Sequence, residues 1–253
     1  MPTLILITAA FLGGASNALA GGGTFLVFPA LLWAGVAPVK ANAMCSLVLL
    51  PGVFTSTWVY RDWVRKVEPP LLLRMSAASL VGSAIGAVLL MTTSNATFSD
   101  LVPWLLLLAA TVFTASPKLR EVAERSRAGE STAALLIGQT IISIYGGYFG
   151  AGMGVLMVGL YLIASQLDLS ASTGLRMIST SVVNTLAVAI FAWRGALDYT
   201  VGMPMLVAGV AGGFLGAKAV KRLDSRHARL AILIYAWGLT AWFFVRKFIS
   251  LWK

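Results

Sequence analysis

Charged residues are scarce in this sequence of 253 residues: they make up 11% of it, whereas hydrophobic residues make up 58%. Soluble domains carry about 25% charged residues, so this chain cannot build a surface that faces water on all sides. Cysteine and histidine are scarcer still, with one residue of each. A single cysteine excludes an internal disulfide and a CxxC metal or redox site, and a single histidine argues against a zinc cluster. We therefore expect no bound metal and no cofactor.

Acidic residues are also few: the sequence has nine Asp and Glu against nineteen Lys and Arg, which gives a net charge of +10. All nine lie in loops or at the ends of uncharged runs, and His227 lies in the basic stretch KRLDSRHAR. An intramembrane protease or lipid transferase needs a buried base or metal-binding carboxylates, so we do not expect an enzyme. The excess of cations would suit nucleic acid, but Lys and Arg between apolar runs are typical of cytoplasmic loops in membrane proteins. We expect no nucleic acid partner.

Long uncharged runs fill the rest of the sequence. A membrane-spanning helix needs about 20 mostly apolar residues, and most of the runs reach that length. They cover residues 1–39, 41–60, 75–99, 101–117, 131–167, 177–193, 199–217 and 230–245. This pattern predicts an all-α, polytopic helical membrane protein whose surroundings are the lipid bilayer.

The sequence resembles itself at an offset of 130 residues. Each half has one long glycine-centred run followed by three ordinary uncharged runs. The matching residues are Gly22 and Gly152, Ala41 and Ala171, Gly82 and Gly212, Gly86 and Gly216, and Ala87 and Ala217. We predict a first transmembrane repeat at residues 1–115, a cytoplasmic linker at 116–131 and a second transmembrane repeat at 132–253.

The distribution of Lys and Arg predicts how the chain crosses the membrane. Residues 61–74, 118–127 and 218–229 hold four, four and five of them, whereas residues 92–100 hold none. Placing the segments rich in Lys and Arg in the cytoplasm requires the run 131–167 to start and end on the same side of the membrane.

The length of that run then predicts its shape. One helix of its 37 residues would be about 55 Å long, against a hydrocarbon core of about 30 Å. We therefore predict a hairpin that enters the membrane, breaks at its glycines and returns, and the first long run repeats it. A hairpin plus three spanning helices makes the second four-segment repeat inverted relative to the first, with both termini in the periplasm. Inverted repeats with interrupted helices are typical of secondary transporters.

The two glycine breaks are candidate binding positions for an anion. A broken helix presents backbone N–H groups and the positive end of its dipole, and irregular backbone at membrane depth is tolerated where it lines a cavity. Close helix packing through small residues is the alternative. We adopt that alternative for Gly82, Gly86, Gly212 and Gly216.

Arg176 is the candidate counter-charge for such an anion. It follows Asp168 by about two helical turns on a span that is otherwise rich in Ser, Thr and Asn. Intramembrane charges usually mark substrate pathways, while an arginine that extends to the membrane surface is the alternative. The predicted substrate-binding residues are Gly21, Gly22, Gly23, Thr24, Asn42, Cys45, Ser46, Gly150, Gly152, Gly154, Arg176, Ser179 and Asn184.

Two stretches carry a resemblance to a known family. They are ALAGGGTFLVFPALL followed by ANAMCS, and GGYFGAGMGVLM followed by a polar span that ends in Asn184. They resemble the two glycine-rich repeats of the TauE/SafE-type sulfite exporter and anion permease family, over nearly the whole chain. The resemblance implies a multi-pass transporter of the bacterial inner membrane that exports or takes up a small sulfur-containing anion, such as sulfite, sulfoacetate or another organosulfonate.

Two alternatives stay open from the sequence: a passive channel for small anions, and a permease for another small carboxylate or oxyanion. The sequence does not decide the exact anion, the direction of transport or a coupling ion. It is compatible with a homo-oligomer but does not decide the oligomeric state.

Overall fold

The computed structural model describes residues 2–20, 22–125, 131–220 and 225–251, and within them every secondary-structure element is a helix. The first half contains α1 (Pro2–Ala20), α2 (Gly23–Trp33), α3 (Pro38–Val59), the single turn α4 (Arg61–Val64), α5 (Pro69–Thr92) and α6 (Asn95–Arg125). The second half contains α7 (Thr132–Tyr148), α8 (Met153–Ala164), α9 (Leu169–Trp193), α10 (Tyr199–Val220) and α11 (Ser225–Leu251). The prediction of an all-α fold is confirmed.

Six helices of the described chain are long and apolar enough to cross a membrane. They are α3, α5 and α6 in the first half and α9, α10 and α11 in the second. The 22 residues of α3 give a helix of about 33 Å, close to the hydrocarbon thickness of about 30 Å. The prediction of a polytopic helical membrane protein is therefore confirmed.

Helices α7 and α8 form the predicted hairpin, with its turn at the second glycine cluster. Helix α7 ends at Tyr148, and α8 has Gly152 as its N-cap. Between them, Gly150 and Gly152 have φ angles of +81° and +77°, a left-handed conformation that glycine adopts at little steric cost. The glycines therefore break the helix because the chain must reverse between Tyr148 and Met153.

The α7–α8 hairpin begins and ends at the same level. The backbone N–H of Ser131, the N-cap of α7, donates to the carbonyl of Ala164, the last residue of α8, at 3.2 Å. The helices have 17 and 12 residues, about 25 and 18 Å, and neither reaches the length of α3. In the first half, α1 and α2 also pack against each other, with Gly22 as the N-cap of α2.

The first helix of each half packs against a helix of the other half. Helix α1 packs along α10, and α7 packs along α5. A Cβ atom at Gly86 of α5 would meet the carbonyl oxygen of Ile144 in α7, and one at Gly216 of α10 would lie 2.6 Å from the Cα of Ala15 in α1. These glycines therefore serve close helix packing, as the sequence predicted. The division into two repeats and their inverted orientation stay predictions.

Candidate functional site

A cavity of about 50 Å³ lies between the two halves of the molecule. Its wall comes from α1, α2 and α3 on one side and from the α7–α8 turn, α8 and α9 on the other. The lining residues are Asn17, Thr24, Cys45, Ser46, Leu49, Val53, Ser56, Phe149, Gly150, Met153, Gly154, Arg176, Met177, Thr180 and Asn184. This volume is above the about 10–15 Å³ that a cavity needs to hold one water, so the cavity has room for a small ligand.

The two short helices begin at this cavity. Gly22 and Gly152 are the N-caps of α2 and α8, and they are related by the offset of 130 residues. The second residue of each helix, Thr24 and Gly154, lines the cavity. The positive end of each helix dipole lies at these residues, while the N–H groups of Phe25, Met153 and Val155 already donate to Gly22, Gly150 and Gly152. Two positive helix ends therefore face the same small space.

Arg176 brings a full positive charge to the same space. Among the described residues that line the cavity, it is the one with a charged side chain. Its guanidinium lies against Gly154, and its Nη2 atom donates to the Sδ atom of Met177 at 3.4 Å. The side chain thus turns toward α8 and the cavity, which favours the anion interpretation over an arginine that extends to the membrane surface.

The start of α9 explains how Arg176 comes to lie at this depth. Asp168 is the N-cap, and its carboxylate accepts a hydrogen bond from the backbone N–H of Ala171 at 2.6 Å. That bond, followed by one from the Ser170 hydroxyl, lowers the pKa of Asp168 below its usual value. Lys66 also contacts this segment, donating to the Ser170 hydroxyl at 2.7 Å. The capped helix then carries Arg176 about 12 Å inward at 1.5 Å per residue.

Seven of the predicted binding residues line the cavity: Thr24, Cys45, Ser46, Gly150, Gly154, Arg176 and Asn184. They come from α2, α3, the α7–α8 turn, α8 and α9. Residues that are distant in the sequence are thus brought to one place. Gly21 lies outside the described residues.

The other predicted residues of the described chain are not part of the cavity lining. Gly22 and Gly152 cap the short helices, and Gly23 packs against the backbone of α1. The amide nitrogen of Asn42 donates to the carbonyl of Tyr148 at 2.9 Å. These residues support the site from outside the lining, and their contact with a substrate stays a prediction.

Ser179 belongs to a buried polar network next to the cavity. Its hydroxyl is 2.9 Å from the hydroxyl of Tyr161, which donates to Oε1 of Gln139 at 2.7 Å. Nε2 of Gln139 in turn donates to the hydroxyls of Ser79 and Ser143. All five side chains are fully buried. The network joins α5, α7, α8 and α9, and such satisfied networks hold helices in one arrangement.

Sequence reasoning missed several lining residues, among them Ser56 and Thr180. A helical period would have found both. Ser56 follows Ser46, Leu49 and Val53 on one face of α3, and Thr180 lies between Arg176 and Asn184 on one face of α9. The lining residues that the sequence did not predict are Asn17, Leu49, Val53, Ser56, Phe149, Met153, Met177 and Thr180.

Comparison with known proteins gives a match over most of the chain. The family model described as Sulfite exporter TauE/SafE matches residues 6–242. A probable membrane transporter protein of Haemophilus influenzae is 28% identical over 239 residues, which cover 94% of this chain and 92% of that protein.

Two further relatives have similar descriptions. The probable membrane transporter protein ORF9 of Sinorhizobium sp is 30% identical over 86% of this chain and 81% of its own length. The probable membrane transporter protein YfcA of Escherichia coli K12 is 28% identical over 87% of this chain and 79% of its own length. No solved structure matches the chain.

Proposed function

The chain belongs to the sulfite exporter TauE/SafE family of membrane transporters, and from that premise we propose that it carries a small sulfur-containing anion across the bacterial inner membrane. The proposed substrates are sulfite, sulfoacetate or another organosulfonate. The proposed binding site is the cavity between the halves, and we assign it no cofactor and no catalytic residue.

One observation carries this proposal: two helix N-termini and a guanidinium face one small cavity whose described lining contains no carboxylate. Helix N-termini attract anions through their N–H groups and dipole. A guanidinium can donate two parallel hydrogen bonds to an oxyanion. A cation in the same place would meet three positive groups and no compensating charge from the described wall.

The volume of the cavity favours the smaller substrates. A cavity of about 50 Å³ suits a small inorganic oxyanion such as sulfite. A longer organosulfonate such as sulfoacetate would require the helices around the cavity to separate. Sulfite is therefore the first anion to test.

Binding is tested with purified protein and a panel of anions. We expect sulfite to raise the melting temperature in a concentration-dependent way, because a ligand that binds only the folded state stabilises it by mass action. Sulfoacetate, acetate and chloride serve as comparison anions at the same ionic strength. Equal shifts with all four would contradict a specific oxyanion site, and a preference for acetate would favour the carboxylate permease.

Transport is tested in proteoliposomes. We expect saturable uptake of labelled sulfite, accelerated when the vesicles are loaded with unlabelled sulfite, because a carrier exchanges one bound anion for another through alternating access. A passive channel would give a flux that rises in proportion to the gradient and shows no acceleration by internal anion. That outcome would replace the transporter proposal by the channel.

A further inference from the structure

We infer that Gly154 is a positioning residue for Arg176: its missing side chain creates the space in which the guanidinium faces the cavity. This inference rests on the proposed anion site. It gives Gly154 a role that does not depend on contact between its own backbone and the substrate.

The geometry around Gly154 carries the inference. A Cβ atom built on Gly154 would lie 2.8 Å from Nη1 of Arg176, 3.1 Å from its Cδ and 3.7 Å from its Cζ. These are the three nearest heavy atoms, and all belong to that one side chain. An alanine at position 154 would therefore push against the arginine before it met anything else.

The glycines at helix-packing contacts have different surroundings from those of Gly154. A Cβ atom at Gly86 would meet backbone atoms of Ile144 and Tyr148, and one at Gly212 would meet backbone atoms of Phe11. Backbone atoms move only with their whole helix, so those glycines support helix packing. The end of an arginine side chain can move by itself. A methyl group at Gly154 would thus displace the guanidinium and leave the helices in place.

The equivalent pair in the first half has the opposite arrangement. At the offset of 130 residues, Thr24 corresponds to Gly154 and Ser46 corresponds to Arg176. Both Thr24 and Ser46 also line the cavity. The half with the larger residue on the short helix has the smaller residue on the following span, and the other half has the reverse. A side chain at position 154 and a long cationic side chain at position 176 thus cannot occupy the same space. Glycine at position 154 leaves that space to the cation.

The test uses sulfite as the probe and Gly154→Ala as the variant. We expect the affinity for sulfite to fall about tenfold, because displacements of about 1 Å in a binding group have effects of that order or larger. Gly159→Ala is the matched control, since it lies on the same helix and a Cβ atom there has nothing within 4 Å. We expect Gly159→Ala to bind sulfite like the wild type, and both variants to have similar melting temperatures without ligand.

A double-mutant cycle separates positioning from a merely structural role. In protein that already has Arg176→Ala, we expect Gly154→Ala to cause no further loss of sulfite affinity, because both changes act through the same side chain. Additive losses would overturn the inference, since Gly154 would then act independently of Arg176. Sulfite affinity in Gly154→Ala equal to that in Gly159→Ala would overturn it as well.

The result for Arg176→Ala alone distinguishes a failure of the anion site from a failure of the positioning role. If that variant loses sulfite affinity while Gly154→Ala keeps it, the anion site stands and only the positioning role fails. If the wild type binds neither sulfite nor any other anion of the panel, the proposed function fails, and the inference about Gly154 falls with it.

Discussion

At the scale of single residues, Arg176 has the most specific role among the proposed site residues. It shares one face of α9 with Thr180 and Asn184, which lie one and two turns further along the helix, and all three line the cavity. The Nδ2 atom of Asn184 donates to the carbonyl of Thr180 at 3.0 Å, which holds this side chain against its own helix. This face combines a charge with neutral groups that can adapt to an oxyanion.

We predict that Arg176→Lys weakens sulfite binding about tenfold and that Arg176→Ala weakens it about 100-fold, because lysine keeps the charge but lacks the planar donor fork. Sulfite affinity measured by thermal shift or calorimetry on folded, purified variants checks this. An arginine that served only to reach the membrane surface would give another pattern: lysine fully tolerated, and alanine changing insertion or stability without changing affinity.

At the scale of helices, the contact between α5 and α7 holds the second hairpin against the first half. Gly82, Gly86 and Gly147 bring the two backbones together, and the network around Gln139 and Tyr161 adds hydrogen bonds behind the same contact. The network has no polar equivalent at the related positions of the first half, where Ala9 and Leu31 correspond to Gln139 and Tyr161. The two hairpins are therefore anchored by different interactions.

We predict that Gly86→Ala lowers the melting temperature in detergent, because its Cβ atom would meet the backbone of α7 and force the helices apart. Overpacking of this kind costs about 1–3 kcal/mol. Gly238→Ala in α11 is the control, since a Cβ atom there has nothing within 4 Å and alanine is favoured over glycine in helices by about 1 kcal/mol. Equal melting temperatures for the two variants would show that α5 and α7 are not in close contact in solution.

At the scale of the whole molecule, contacts between loops show which segments lie on the same face. Lys66, in the basic segment after α3, contacts Asp168 at 3.8 Å, so these two segments share one face of the molecule. The backbone N–H of Val39 donates to Asn95 at 3.1 Å, which joins the starts of α3 and α6. The two pairs of segments lie at opposite ends of α3.

We predict that the face with Lys66 is cytoplasmic and the face with Asn95 is periplasmic, as the loop charges indicate. The test starts from Cys45→Ala, which removes the single cysteine, and adds either Asp62→Cys or Ser94→Cys at an exposed position. A membrane-impermeant maleimide added to intact cells should label position 94 and should label position 62 only after permeabilisation. The reverse pattern would also overturn the periplasmic placement of the termini.

We also predict that no single replacement of a carboxylate by its amide abolishes transport, because the described cavity wall contains no Asp or Glu. An inside-negative potential already favours anion export by about 2.3 kcal/mol per charge per 100 mV. Asp168→Asn should keep its role as helix cap and transport within about twofold of the wild type, as expected for an exposed change away from the site. Loss of coupling to a proton gradient in this variant would show that a carboxylate carries the proton.

The amino-acid sequence by itself determined the fold class and the hairpins. Membrane insertion depends on the length and composition of each apolar run, and both are local properties that can be read along the chain. The hairpin at Gly150 and Gly152 follows from an apolar run too long for one span and from glycines at its centre. The sequence also indicated the chemistry of the candidate site, because a charged residue such as Arg176 can be recognised within an apolar span.

Only the tertiary structure decided which side chains meet. Ser179 and Arg176 are three residues apart on α9, yet Arg176 lines the cavity and Ser179 is bonded to Tyr161 behind it. The closeness of Gly154 and Arg176 likewise joins two helices. The rotation of each helix about its axis is set by packing against helices of the other half, including the backbone contacts at Gly86 and Gly216. These contacts join residues far apart in the chain, so no local pattern specifies which face of a helix becomes the wall of the cavity.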